Sequence, residues 1–438
     1  MIQRFLQNTG PYTFLTVGYL LIMLIGSVLL SLPVFHAQTV PLLDNLFTAI
    51  SAVSTTGLVT VSTSDSYNLG GEILIIILIQ IGGVGYMSLA SFVVLSSRRK
   101  ISKLSEQLIR TDFSLPSHFS LQHFIRSVIL FAFFIELVGA ILLYICFRLE
   151  GIPDALWQAI FHSISAFCTA GFSLFNNSLE DFKFDFWVNL IITLLSLGGS
   201  IGFIVFADVY RRIIKKKGAL TYTSRIILRF TLVALVASFL ILLVSEDAFY
   251  QYTLGDEMLI SLFQGMTAFT TVGFNTFPIG DMSSGGIFFI IILMLAGASP
   301  SGTGGGIKST TIVALFAVMK CTLQGRKKIT FSGREIPEDK LRLAVTNFFF
   351  YVLVLITGIF LLAHVESQAV YSIIFEATSA LGTVGLSTGA TGALTAWGKV
   401  IIIVLMFLGR IGPITFGLAL LKSKEDTEVV LTAEDIAI

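Results

Sequence analysis

The feature that most constrains the fold is a series of long apolar segments with almost no charged residues. Several run for roughly 18 residues or more, the length that a helix needs to cross the hydrocarbon core of a bilayer. The chain is 55% hydrophobic and 13% charged, whereas a soluble domain carries about 25% charged residues. The sequence therefore predicts an all-α polytopic membrane protein.

The basic residues are concentrated in three loops between the apolar segments. These loops read "SSRRKISK", "YRRIIKKKG" and "QGRKKIT" and occupy residues 96–103, 210–218 and 324–330. Three other stretches contain no Lys or Arg: 34–71, 246–286 and 364–398. By the positive-inside rule the basic loops are cytoplasmic, so we expect a multi-pass cell (plasma) membrane protein with both termini in the cytoplasm. Basic clusters between spans are not expected to bind nucleic acid.

A pattern that ends in glycine occurs four times along the chain. Each glycine is preceded by a threonine at two residues, an alanine at five, a serine or threonine at six and a phenylalanine at ten. The glycines are Gly57, Gly171, Gly273 and Gly385, and the hydroxyl residues at six are Ser51, Ser165, Thr267 and Ser379. Chance can supply one such column but not all of them together, so the sequence contains a fourfold internal repeat.

Each repeat has the same predicted organisation of helix, pore loop and helix. The segment before each glycine is too short to span a bilayer as a helix, so it is expected to enter the membrane and return. Irregular backbone at membrane depth is tolerated only where it is buried in protein or lines a wet cavity. We therefore expect pseudo-fourfold symmetry around one central pore, with eight spanning helices. The boundaries are 1–100, 101–218, 219–330 and 331–422, followed by a cytoplasmic tail at 423–438.

The Thr-x-Gly turns resemble the start of the loop that removes water from K⁺ in potassium channels. Backbone carbonyls at such turns can replace the water shell of an ion, and glycine is suited to the positive φ that this geometry needs. The predicted K⁺ filter consists of Thr55, Thr56, Gly57, Thr169, Ala170, Gly171, Thr271, Val272, Gly273, Thr383, Val384 and Gly385. We expect the upstream Ser and Thr side chains to hydrogen-bond the pore-helix backbone. The alternative is that each glycine is merely a helix C-cap.

The second apolar segment of the third repeat contains the small and polar run "AGASPSGTGGGIKST" at 296–310. A helix must break there, and broken helices at the membrane midplane mark substrate pathways. The predicted gate consists of Gly297, Ser299, Ser301, Gly302, Thr303, Gly304, Gly305, Gly306, Lys308 and Arg410. The alternative is a helix-packing face of small residues, which suits "GGVG" and "GGSIG" in the first two repeats. The run only approximates a phosphate-binding loop, and we expect no nucleotide site in this chain.

Ionisable residues inside spans are candidates for function. Arg410 is expected under the filter, where it either tunes ion passage or pairs with a carboxylate. Glu136 is interpreted as functional or as a buried hydrogen-bonding group between helices. His162, in the second pore-helix stretch, is interpreted as a packed or hydrogen-bonded residue rather than a ligand.

These residues resemble the superfamily of K⁺ transporters that includes the bacterial Trk and Ktr membrane subunits and the plant HKT proteins. The resemblance is carried by the four Thr-x-Gly turns, the broken third-repeat helix and "GRIGP" at 409–413, and it is greatest for the Ktr-type subunit. It implies K⁺ uptake, a gate below the filter, a homodimer with one pore in each chain and a cytoplasmic ring of RCK-type nucleotide-binding subunits. It also implies a bacterial membrane with its lipids, and Na⁺ as a candidate activating ion.

Two other classes of protein are alternatives to a K⁺ transporter. A sodium- or proton-coupled secondary transporter also uses repeats and broken helices, but such folds usually have two repeats and ionisable residues at the midplane. An intramembrane enzyme needs a paired catalytic constellation, and none stands out in the sequence. We therefore expect no enzymatic activity and no catalytic residues.

Overall fold

The computed structural model describes residues 11–86, 88, 91, 106–107, 109, 121–213 and 219–420. The basic loop at 96–103, residues 214–218 of the second basic loop and the tail at 423–438 lie outside these residues. Within the described residues the chain is built almost entirely from helices. The predicted cytoplasmic tail at 423–438 therefore stays a prediction.

Four long helices are apolar enough to cross a membrane by length and composition. They are α1 (Pro11–Leu30), α4 (Leu121–Leu149), α8 (Tyr222–Ser245) and α12 (Glu338–Val365). Their outward faces carry large exposed apolar side chains, such as Ile25 at 59% and Val28 at 65% exposure on α1. An apolar surface of this kind is suited to lipid contact rather than to water.

A short helix follows each long helix and leads into one Thr-x-Gly turn. These helices are α2 (Leu42–Ser54), α5 (Ala155–Phe167), α9 (Leu254–Thr270) and α13 (Val370–Gly382). Most of their side chains are buried, including polar ones. The predicted order of long helix, short helix and glycine turn is therefore present in each part of the chain.

The helix after each turn is interrupted in all four places, whereas we expected an interruption only in the third. The segments are α3 (Leu69–Val84), α6 (Phe186–Ile201) with α7 (Phe203–Ile213), α10 (Ser284–Leu295) with α11 (Ser309–Leu323), and α14 (Ala396–Ile411) with α15 (Pro413–Leu420). The α6–α7 pair is bent by 94° and the α14–α15 pair by 91°.

A single glycine with positive φ ends the helix at three of the interruptions. The angles are 87°, 94° and 86° at Gly85, Gly202 and Gly412. A left-handed residue cannot continue a right-handed helix, so these glycines end α3, α6 and α14. Eight continuous spans are therefore not present among the described residues, where four helices qualify as spans, or six when each bent pair counts as one.

A small hairpin is the exception to the helical architecture. Strands β1 (Thr330–Phe331) and β2 (Arg334–Glu335) pair antiparallel in the third basic loop. The Tyr222 hydroxyl donates to the Phe331 carbonyl at 2.5 Å, and the Arg334 guanidinium lies over the Tyr222 ring at 5.4 Å. The hairpin therefore connects α11 and α12 and holds the start of α8.

Candidate functional site

Each short helix ends one residue before the threonine of its turn, or two residues before it in the second repeat. The threonine backbone is left-handed, with φ of 53°, 49°, 59° and 48° at Thr55, Thr169, Thr271 and Thr383. The next residue donates its N–H to the carbonyl five positions earlier, as Thr56 does to Ser51 at 2.9 Å. This is a Schellman-type helix end. A left-handed β-branched residue is strained, and strain of this kind is concentrated at functional sites.

The filter glycines follow the threonines by two residues and are not the helix caps. Their φ angles are 92°, 65°, 87° and 94° at Gly57, Gly171, Gly273 and Gly385. Because the helix cap is the threonine in three repeats and Cys168 in the second, the alternative that the glycines only cap helices is wrong. The positive φ expected for these glycines is confirmed.

The four glycines lie in a closed cycle of contacts. A Cβ atom added to any of them would collide with the middle residue of the next turn along the chain. The colliding carbonyl oxygens belong to Ala170 for Gly57, Val272 for Gly171, Val384 for Gly273 and Thr56 for Gly385. The fourth turn thus touches the first, so the four turns form a closed ring.

The expected bonds from upstream hydroxyls to the short-helix backbone are confirmed, as when Thr270 donates to Met266 O at 2.7 Å. The hydroxyl residues six positions before each glycine hold the turns themselves. In the first and fourth repeats, the glycine N–H donates to Ser51 Oγ and Ser379 Oγ, both at 3.1 Å. In the second and third repeats, the hydroxyl donates to the carbonyl of the residue after the glycine. Ser165 reaches Phe172 at 2.8 Å and Thr267 reaches Phe274 at 2.6 Å. Both arrangements are possible because a hydroxyl can accept a hydrogen bond as well as donate one.

A cavity of about 480 Å³ lies on the glycine side of the turns. All four filter glycines line it, together with polar residues from the segments that follow each turn. Glu180 and Asp281 are its acidic lining residues, and no Lys or Arg of the described chain lines it. Burial raises the pKa of the Glu180 carboxyl, while a hydrogen bond from the Asn275 side chain at 2.7 Å lowers it. The cavity is therefore a polar space that favours cations.

Residues 296–308, which we name the interrupting segment, lie on the opposite, threonine side of the turns. The Thr303 hydroxyl is 3.0 Å from the Thr169 hydroxyl, and the Thr303 carbonyl accepts from the Thr55 hydroxyl at 3.3 Å. Gly305 donates its N–H to Thr271 Oγ1 at 3.2 Å, and a Cβ on Gly305 would collide with Thr383. The segment therefore contacts the threonine of every turn.

The interrupting segment folds back on itself through its glycines. A Cβ on Gly297 would lie 2.6 Å from the Gly306 Cα atom, and Ala298 donates its N–H to the Gly305 carbonyl at 3.0 Å. The Ser299 and Ser309 hydroxyls are 3.0 Å apart. This part of the prediction is confirmed, because a helix breaks where the small residues accumulate.

The break between α6 and α7 provides the docking surface for the interrupting segment. Thr303 donates its N–H to Gly199 O at 3.1 Å, and a Cβ on Gly302 would lie 2.6 Å from Ser200 O. Ser301 in turn accepts the Phe203 N–H at its carbonyl and the Ile204 N–H at its hydroxyl, both at 3.1 Å. The first N–H groups of a helix lack partners within the helix. Ser301 of the third repeat therefore caps the start of α7 in the second repeat.

Both predicted basic residues bind carbonyl oxygens in this region. Lys308 Nζ donates to the Gly304 carbonyl at 2.6 Å. Arg410 Nη1 donates to the Thr303 carbonyl at 2.6 Å and to the Thr55 hydroxyl at 3.0 Å, and Nη2 donates to Gly82 O. Among the described residues no carboxylate lies within ion-pair distance of Arg410, so the alternative of a carboxylate partner is not supported there.

Glu136 bonds to a neighbouring helix, and His162 bonds to its own helix and to the segment after Gly171. Glu136 accepts from the Gln80 amide at 2.5 Å. The His162 ring nitrogens lie 2.7 Å from Gln158 O and 2.9 Å from Ser173 Oγ, and the ring stacks on Phe175 at 4.6 Å. The interpretation of His162 as a packed, hydrogen-bonded residue is confirmed.

Two features of the site were not predicted from the sequence: a polar residue at one equivalent position of every repeat, which we call the polar column, and one ion pair. The residue nine positions before each filter glycine is polar and buried: Thr48, His162, Gln264 and Glu376. The alignment on the glycines did not reveal this column, because its four residues are of different types. The ion pair joins Lys399 Nζ to Asp44 Oδ1 at 2.5 Å, and it links the fourth repeat to the first. Residue spacing carries no signal for that pair.

Comparison with known proteins places the whole chain. The sequence model of the family described as "TrkH: Cation transport protein" matches residues 10–429. The Ktr system potassium uptake protein B of Bacillus subtilis (strain 168) is 35% identical over 95% of this chain and 94% of that protein. The protein of the same name from Vibrio alginolyticus is 32% identical, over 97% of this chain and 94% of its own length. The potassium/sodium uptake protein NtpJ of Enterococcus hirae is 31% identical over 98% and 96%.

Solved structures agree at the level of the fold. The crystal structure of the potassium transporter TrkH from Vibrio parahaemolyticus matches with a TM-score of 0.70, at 22% identity, over 93% of this chain and 85% of that one. The resemblance based on the four turns and the broken helix is thereby confirmed. The chain belongs to the TrkH family of cation transport proteins.

Proposed function

We propose that this chain is the membrane-embedded K⁺-translocating subunit of a Ktr-type potassium uptake system. The observation that carries the proposal is the closed cycle of the four filter glycines, in which each turn meets the carbonyl oxygen of the next. The proposed filter comprises the four Thr-x-Gly turns in pseudo-fourfold arrangement around one central pore. Backbone carbonyls in such a ring can replace the hydration shell of K⁺.

The choice of K⁺ is supported by the chemistry of the turns and by the names of the relatives. The turns present carbonyl and hydroxyl oxygens and contain no ionisable side chain, which argues against a proton- or sodium-coupled secondary transporter. Potassium is the cargo named for the three relatives above, and sodium is named as a second cargo for one of them. We keep Na⁺ as a candidate activating ion.

The interrupting segment is the proposed gate, and Arg410 is proposed to hold it against the first repeat. The segment contacts all four threonines on the side away from the cavity. A cation leaving the ring would meet this segment and the guanidinium of Arg410, whose positive charge opposes it. With the basic loops on the cytoplasmic side, the cavity is the outer mouth in the plasma membrane and the gate faces the cytoplasm.

Regulation and assembly form the last part of the proposal. Two of the relatives are named as proteins of a "Ktr system". We extend to this chain the homodimer and the cytoplasmic RCK-type ring that the resemblance implies. The repeat boundaries stated above are part of the same proposal. Family membership in a group of cation transport proteins leaves no role for an intramembrane enzyme.

The test replaces a filter glycine by serine and measures selectivity in cells that lack other K⁺ uptake. Gly273→Ser forces a side chain onto a residue with φ of 87° and against the Val384 carbonyl. We expect the ratio of Rb⁺ to Na⁺ uptake to fall by about ten-fold, since backbone strain of roughly 1–3 kcal/mol displaces the ring.

Gly255→Ser is the matched control, because its Cβ would have nothing within 4 Å. It should leave the uptake ratio unchanged. If Gly273→Ser reaches the membrane and keeps the wild-type ratio, the filter assignment is wrong. Growth on low K⁺ provides a second readout of the same variants.

A further inference from the structure

The polar column nine residues before each filter glycine lies behind the segments that line the cavity. The side chains are chemically different, whereas the neighbouring columns of the repeat are nearly uniform. Each lies in a short helix, where a buried polar group is costly unless it finds partners. Its partners therefore show what each side chain does.

Glu376 in α13 has the most extensive contacts of the column. Its Oε1 atom accepts from the Ser387 hydroxyl at 2.8 Å, the Thr388 N–H at 2.9 Å and the Thr388 hydroxyl at 3.2 Å. Its Oε2 atom accepts from the Thr391 hydroxyl at 2.5 Å. All three partner residues follow Gly385 and line the cavity. Glu376 therefore holds the outer half of the fourth turn.

Gln264 and His162 make the corresponding contacts in the third and second repeats. The Gln264 amide donates to Phe277 O at 3.0 Å, and its carbonyl accepts the Thr276 N–H at 3.2 Å. His162 reaches Ser173 Oγ, two residues after Gly171, at 2.9 Å. In three repeats the same position thus binds the segment that follows the glycine.

The first repeat obtains the same connection from a different residue. Among the described residues, the Thr48 hydroxyl makes no hydrogen bond to the residues that directly follow Gly57. Instead Asp44, one helical turn earlier in α2, accepts from the Thr60 hydroxyl at 2.7 Å. Thr60 follows Gly57 as Thr388 follows Gly385, by three residues. The turns are thus held by four different side chains.

We propose that Glu376 is a positioning residue that sets the ion selectivity of the fourth turn by fixing the segment that follows Gly385. The inference rests on the proposed filter function. An ionised carboxylate is acceptor-only, with about four lone-pair sites, and the donors on Ser387, Thr388 and Thr391 occupy both of its oxygens. Glutamine already does this work in the third repeat, so geometry rather than charge is the property that matters.

The test compares Glu376→Met with Glu376→Gln in the full-length protein, using Rb⁺ and Na⁺ uptake by deficient cells. Methionine keeps the length of the side chain and removes both carboxylate oxygens, leaving only a weakly accepting sulfur. We expect Glu376→Met to lower the Rb⁺/Na⁺ uptake ratio by about ten-fold, because hydrogen bonds to a charged group are lost. Glutamine keeps an acceptor for the Thr388 N–H, so its ratio should stay within about three-fold of wild type.

Glu366→Met is the matched control. Glu366 is also a buried carboxylate of the fourth repeat, but it binds Thr395 at the start of α14, at 2.9 Å to the N–H and 2.7 Å to the hydroxyl. Its loss should lower the amount of protein or both fluxes together and leave the ratio unchanged. A purely structural role for Glu376 would give the same pattern and would overturn the proposal.

Two further outcomes decide the inference. If Glu376→Gln loses as much selectivity as Glu376→Met, the carboxylate acts through its charge and the positioning role is wrong. If Glu376→Met does not reach the membrane, the double variant Ser387→Ala/Thr391→Val removes two donors instead and should shift the ratio in the same direction. An unshifted ratio there counts against the proposal. Should Gly273→Ser alter selectivity while the Glu376 variants do not, only this inference fails and the filter assignment stands.

Discussion

The two sides of the glycine ring are built on opposite plans. The four turns are alike, with threonine and glycine of positive φ at equivalent positions in each repeat, and their glycines line the cavity. On the other side three interruptions consist of one glycine each, at Gly85, Gly202 and Gly412, and the remaining one spans 296–308. One side is regular, and the other has a single long exception.

Under the proposed function, this difference separates binding an ion from blocking its path. A ring of carbonyls needs all four turns to present oxygen to one point, so each repeat is under the same geometric demand. A blocking segment needs only to cover that point once. The interrupting segment reaches all four threonines from one repeat, which leaves the other three interruptions free to be simple bends.

Shortening the interrupting segment should change K⁺ flux more than the other variants on this side of the ring. Deletion of residues 299–304 removes its contacts with Thr55 and Thr169. We expect K⁺ flux through the chain expressed without regulatory subunits to rise by about ten-fold or more, since the closed arrangement loses several hydrogen bonds. The Rb⁺/Na⁺ ratio should be retained because the turns are unchanged. Flux that stays at the wild-type level, with the protein present in the membrane, would contradict the gate.

Replacing Arg410 should have a smaller effect in the same direction. Its guanidinium joins the interrupting segment at Thr303 to the first repeat at Thr55 and Gly82. We expect Arg410→Gln to raise flux by about three- to ten-fold, because charge-assisted hydrogen bonds and a repelling charge are both removed. Arg410→Lys keeps the charge but not the forked geometry, so its flux should fall between those of the wild type and Arg410→Gln. A Gln variant with lower flux and normal abundance would argue that Arg410 assists conduction instead.

The smallest change in flux is expected at the bends, and it should differ between Gly202 and Gly412. A Cβ at Gly202 would lie 2.5 Å from the Pro300 carbonyl, whereas at Gly412 the nearest atom would be Thr415 Oγ1 at 3.9 Å. Gly202→Ala should therefore weaken docking of the interrupting segment and raise flux by about two- to three-fold, through strain of roughly 1 kcal/mol. Gly412→Ala bears similar backbone strain without that contact. It should lower thermal stability only, so equal flux changes in the two variants would disprove the distinction.

Much of the fold could be predicted because its signals are local. Apolar length predicts the long helices, and the recurring Thr-x-Gly column located the four turns and the short helices before them. The interruption at 296–308 was predicted from its small residues. The bends at Gly85, Gly202 and Gly412 were not, because a glycine inside an apolar segment fits a packed helix as well as a broken one. The sign of φ, which decides between them, depends on surrounding contacts.

The sequence by itself determined that this chain spans a membrane, that it repeats one motif four times and which residues of the motif recur. These properties follow from apolar length and from spacing along the chain. Only the tertiary structure decided that the fourth turn closes on the first, that Arg410 binds carbonyls rather than a carboxylate, and that Glu376 holds the segment after Gly385. The physical reason is that such contacts join residues far apart in the chain, and their geometry is set by how the helices pack.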